Sequence, residues 1–74
     1  MSRLPRISGR EAVAAFQRAG FEIRREGGSH VVMTKTAAPV TLSIPDHREL
    51  APGTLRALIR KAGLTVDEFT ALST

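Results

Sequence analysis

The chain has 74 residues, eleven basic and seven acidic side chains, a formal charge of +4, and no cysteine, tryptophan or tyrosine. A domain of this size buries only about 60% of the surface its unfolded chain exposes. With no cysteine to form disulfides or hold zinc, it has no room for a deep private substrate cavity, an internal dinucleotide or a haem. The expectation is one small basic domain over residues 1–74, with an aliphatic core and any active site on the surface.

Met1 to Arg6 contain no apolar h-region and the longest apolar run is Ala12 to Phe16, so neither a signal peptide nor a membrane span is expected. With cysteine absent, the reading is a cytoplasmic protein with no membrane contact. Ser8-Gly9-Arg10-Glu11 has the form of a capping box, which starts a helix. Val13 and Phe16, with Ala12, Ala15 and Ala19, then supply a narrow apolar stripe, and Gly20 suits the left-handed end of a helix. The first helix is placed at residues 9–19.

From Phe21 the period becomes two: Phe21, Ile23 and Arg25 alternate with Glu22, Arg24 and Glu26, as in a strand with one apolar face. Gly27-Gly28 offers the positive φ angles of a tight hairpin, and Ser29 to Lys35 returns as a β-branched second strand. Thr36 to Pro39 makes a second turn. Val40, Leu42 and Ile44 then form the apolar face of a third strand, stopped at Pro45. Asp46 to Ala51 is polar, without period, and reads as a loop. Pro52 opens a second helix, with Leu55, Leu58, Ile59 and Ala62 on one side and Arg56, Arg60 and Lys61 elsewhere on the wheel. Gly63 closes it, and Thr65-Val66-Asp67-Glu68 starts a short third helix whose Val66, Phe69 and Leu72 are expected to fold back onto the sheet. The order α-β-β-β-α, plus a short C-terminal helix, makes an α+β two-layer domain with a three-stranded antiparallel sheet, open on one face. It matches the double-stranded-RNA-binding fold, which alone does not fix a function.

Of the two histidines, His30 follows Gly27-Gly28-Ser29, where small residues let a polymer backbone approach the imidazole. It also fits as a plain polar residue near a hairpin. Alternation leaves its sheet face open, because Val31 and Val32 are both apolar. His47 reads as a solvated loop residue. The histidines and carboxylates show no metal-ligand spacing, so neither metal nor cofactor is expected. A serine triad finds no support either: Ser29, taken as part of the same strand, would face away from His30.

Taken together, Gly27-Gly28-Ser29-His30, Ile44-Pro45-Asp46-His47-Arg48-Glu49-Leu50, Gly53-Thr54-Leu55-Arg56, Lys61-Ala62-Gly63-Leu64 and Glu68-Phe69 resemble the HicA family of mRNA-interferase toxins in order and spacing. The resemblance runs from the first helix cap to Phe69. It implies a double-stranded-RNA-binding-like fold, a toxin that cleaves mRNA without a metal, a cognate HicB-type antitoxin covering the active surface, and His30 as the catalytic histidine. The chemistry agrees, since an imidazole that deprotonates a 2′-hydroxyl turns the RNA's own oxygen into the nucleophile. Gly28, Ser29, Arg24, Arg25 and Lys35 are the candidate substrate contacts, by the glycine turn and on its flanking strands, with Arg56, Arg60 and Lys61 as the next set. A non-catalytic RNA-binding module of the same fold is the alternative, and a pure protein-interaction subunit a third reading.

Overall fold

Both capping boxes form. The Ser8 hydroxyl accepts from the Glu11 N–H at 3.0 Å while the Glu11 carboxylate accepts from the Ser8 N–H at 2.8 Å. Thr65 and Glu68 exchange the same pair of bonds at 3.1 and 2.8 Å. Each box satisfies N–H groups that a helix start otherwise leaves unpaired. In the computed structural model, which describes residues 3–74, the order is α1 (Gly9–Arg18), β1 (Glu22–Arg25), β2 (His30–Lys35), β3 (Ala38–Pro45), α2 (Pro52–Lys61) and α3 (Val66–Leu72). Met1 and Ser2, part of the expected 1–74 domain and of the stretch read as lacking a signal peptide, lie outside the described residues. The first helix ends at Arg18, one residue earlier than its periodicity suggests, with Ala19 as its cap.

The sheet runs β1-β2-β3, antiparallel throughout, with β2 in the centre. Val31 and Met33 of β2 and Leu42 and Ile44 of β3 point to one face, where α1 and α2 cover them. This is the α+β, double-stranded-RNA-binding-like arrangement. Phe16 sits at the centre of the core, with its ring 5.9 Å from that of Phe21 and 5.0 Å from that of Phe69. The third helix departs from expectation: Phe69 is fully buried, but α3 packs chiefly on α1 and α2 rather than on the sheet. A helix following α2 after a short turn reaches its neighbour helices before it can reach strands they already cover.

Three further local expectations are corrected. The third strand begins at Ala38 instead of Val40, because the turn is confined to Thr36 and Ala37 and a bulge pairs Lys35 with Ala38. Pro39 is tolerated there since β3 is an edge strand. In β1, Ile23 pairs with Met33 but Arg25 pairs with Val32, so a bulge interrupts the alternation. Arg25 consequently leaves the apolar row of Ile23 and joins the outer face. The loop after β3, read as wholly polar, buries Leu50, whose N–H donates to the Ile7 carbonyl at 2.8 Å.

Candidate functional site

Directly opposite residues of an antiparallel pair share a face, and that rule settles the side on which His30 lies. Val31 and Met33 are buried inward, so His30, Val32 and Thr34 point outward with their partners Pro45, Ser43 and Thr41 on β3 and Arg25 on β1. His30 is exposed on the face of the sheet that the helices leave uncovered.

Gly27 and Gly28 take φ values of +124° and +67°, the left-handed region where a side chain would be strained. Nothing lies within 4 Å of where a Cβ would stand on either one. The approach to His30 along the turn is therefore open. Ser29 belongs to this turn and not to the strand, which corrects the expectation that it faces away from His30. Its Oγ lies 2.9 Å from His30 Nδ1. With Nδ1 engaged, Nε2 is the ring nitrogen without a partner among the described residues.

Of the basic candidates, Arg25 stands one rung from His30 on the same face, opposite Val32. Arg24 donates from Nε to Thr34 Oγ1 at 2.7 Å, which holds its side chain near a position about 13 Å along the strand from His30. Lys35 is separated from them. Its Nζ lies 5.5 Å above the Phe21 ring, and its aliphatic stem packs beside Gly20. It occupies the far end of β2 at odd register from His30, roughly 17 Å away along the strand. The structure thus brings together Gly28, Ser29, His30, Arg25 and, at a greater reach, Arg24.

Arg56 and Arg60 lie elsewhere, with Ile59, Leu64, Thr65 and Val66, around an open cleft of about 250 Å³ between α2 and the start of α3. His47 is exposed in the β3–α2 loop, where its carbonyl accepts from the Gly9 N–H at 2.9 Å. Among the described residues no three His, Asp or Glu side chains converge as metal ligands, and no helix is long and apolar enough to cross a membrane.

Sequence reasoning missed what lies behind the turn. Arg10 of α1 donates from Nη1 to Glu26 Oε1 at 2.7 Å and from Nη2 to Asp46 Oδ2 at 3.4 Å. The Asp46 N–H donates to the Ser29 carbonyl at 2.8 Å. Gly9 is equally specific, since a Cβ there would sit 2.0 Å from the Pro45 carbonyl oxygen. Helix α1 therefore starts hard against the chain leaving β3. The contacts of Arg10 span 16 and 36 residues, so no local pattern announces them; the one legible trace was the small residue at Gly9 inside a capping box.

The model of the family described as the HicA toxin of bacterial toxin–antitoxin systems matches residues 9–64, from the first residue of α1 to the turn after α2. No curated protein matches the chain. The matched span holds the Gly-Gly-Ser-His turn, all three strands and the β3–α2 loop that supports the turn from behind. With the sheet open on the His30 face and this match over most of its length, the chain belongs to the HicA family of toxins of bacterial toxin–antitoxin systems.

Proposed function

We propose that this toxin is an endoribonuclease that cleaves mRNA with His30 as its general base and without a metal or cofactor. The observation that carries the reading is the exposed imidazole on the uncovered sheet face, with Nδ1 tied to Ser29 Oγ and Nε2 without a partner among the described residues. In the tautomer that donates from Nδ1 to Ser29, Nε2 holds the lone pair and accepts the proton of a ribose 2′-hydroxyl. That oxygen attacks the adjacent phosphorus, the bond to the 5′-oxygen breaks, and the leaving oxygen takes a proton from water. The products are a 2′,3′-cyclic phosphate and a 5′-hydroxyl. General base help of this kind contributes about 10²–10⁴-fold.

Gly28 and Ser29 let the RNA backbone approach closely, and Arg25, with Arg24 further along, holds phosphates on the same face. Lys35, at the opposite end of β2, would meet the RNA only away from the scissile bond. The family pairs each toxin with an antitoxin. A HicB-type antitoxin with an acidic surface would cover the His30 face, displacing RNA from the arginines.

The test is a comparison of wild type and His30→Ala on an RNA oligonucleotide and on its all-deoxy counterpart. The expected result is cleavage of RNA alone by the wild type, resistant to EDTA, and none by the variant. RNA binding retained by both proteins with cleavage by neither would make the chain a non-catalytic RNA-binding module. Cleavage of the all-deoxy strand would remove the 2′-hydroxyl mechanism.

A further inference from the structure

A hairpin turn made of two glycines has no side chain with which to fix itself. Gly27 and Gly28 have open space around them, and the ring of His30 is exposed, so neither packing nor burial orients it. The fixing contacts come from α1. The guanidinium of Arg10 binds Glu26, the residue before the glycines, and Asp46, whose backbone N–H holds the carbonyl of Ser29, the residue after them. Ser29 in turn meets Nδ1 of the imidazole. One side chain thus bridges the two flanks of the turn.

We infer that Arg10 is a positioning residue for His30, holding the glycine turn and the Ser29–His30 hydrogen bond in register through Glu26 and Asp46. The inference rests on the ribonuclease reading for its catalytic consequence, but its structural part stands apart from it. Two structural features support it. First, the Gly9 backbone is pressed against Pro45 and bonded to the His47 carbonyl, so Arg10 starts from a fixed anchor beside Asp46. Secondly, the hydrogen bond that Arg10 donates to Glu26, followed by the field of Asp46 and the bond to it, raises the affinity of the guanidinium for its proton. The guanidinium therefore keeps its charge at any pH at which the enzyme works. A planar fork with several donors can serve two carboxylates at once, which an ammonium on one stem does less well.

The experiment uses the full chain with Arg10→Ala and Arg10→Lys, together with His30→Ala in the same assays. Two readouts are taken: steady-state kinetics on an RNA oligonucleotide, and the ¹⁵N spectrum of the imidazole, which reports the tautomer of His30. Misplacing a reacting group by about 1 Å costs up to about 100-fold, so Arg10→Ala is expected to lower kcat by roughly 10- to 100-fold. The expected change in KM is under about twofold. Arg10→Lys should fall between wild type and Arg10→Ala. The spectrum should pass from one dominant tautomer in the wild type to a mixture in Arg10→Ala. A raised KM with unchanged kcat would make Arg10 a phosphate contact and overturn the inference, as would an unchanged tautomer balance. If His30→Ala cleaves RNA like the wild type, the ribonuclease reading fails, while the tautomer readout still decides whether Arg10 orients the ring. Should Arg10→Ala fail to fold, the isosteric double variant Glu26→Gln with Asp46→Asn removes both carboxylate charges from the bridge and must give the same loss of kcat.

Discussion

Alternate residues of β2 answer to different constraints. Val31 and Met33 point into the core and are almost completely shielded, at 1% and 0% exposure, whereas His30 between the turn and Val31 is open to solvent. The inward row is held by shape: apolar side chains from β2 and β3 join Phe16 and the α2 leucines in one buried cluster. The outward row is held by a few hydrogen bonds, Ser29 to His30 and Arg24 to Thr34. A sheet covered on one side thus separates what keeps the domain folded from what could act on a substrate, residue by residue along one strand. Substitutions on the two faces should therefore fall into different classes.

The largest effect on stability belongs to the inward row. Met33→Ala or Leu42→Ala should cost about 2–5 kcal/mol, out of a total of roughly 4–11 kcal/mol for a chain of this length. Urea denaturation measures it, and a cost below about 1 kcal/mol would show that the inner face tolerates cavities and that the separation is weak. Gly9→Ala comes next. Its Cβ meets the Pro45 carbonyl carbon and oxygen, which are backbone and cannot swing away, so a loss of about 1–3 kcal/mol is expected. Because the displaced loop supports Ser29, this variant should also lose cleavage, and it is the one that couples the two faces. Ser8→Ala removes the first helix cap and should cost about 1 kcal/mol, read as a shift of the melting midpoint with cleavage otherwise intact at low temperature. Smallest on the stability scale is His30→Ala, within about 0.5 kcal/mol, yet it should abolish cleavage. A His30→Ala protein that is strongly destabilised would place the imidazole among the structural residues and break the comparison.

Much of this was legible beforehand, and for identifiable reasons. Capping boxes and glycine or proline breaks are local codes, so both box-started helices, the hairpin at Gly27-Gly28 and the start of α2 at Pro52 could be placed from the chain alone. What escaped depends on partners distant in sequence. The bulge in β1 moves Arg25 to the outer face because its register is set by β2, and strict alternation cannot see that. The face of His30 was unreadable since Val31 and Val32 are both apolar, and only pairing with β3 distinguishes them. Leu50 belongs to a polar stretch in sequence, and only the bond from its N–H to the Ile7 carbonyl, forty-three residues away, and its burial distinguish it. The histidine of the candidate site was visible by its motif, but the Arg10 bridge behind it exists only after α1, β1 and the β3–α2 loop have met.

Phe69 sets a boundary. It is fully buried beside Phe16, with ring centroids 5.0 Å apart, and is carried by α3 at residues 66–72, whereas the family match stops at residue 64. A chain trimmed at that point would keep every candidate contact to RNA and still uncover the central aromatic ring of the core. Such a fragment should expose a sticky apolar surface, bind hydrophobic dyes and self-associate. The stretch needed to close the core therefore extends beyond the residues that the family model matches.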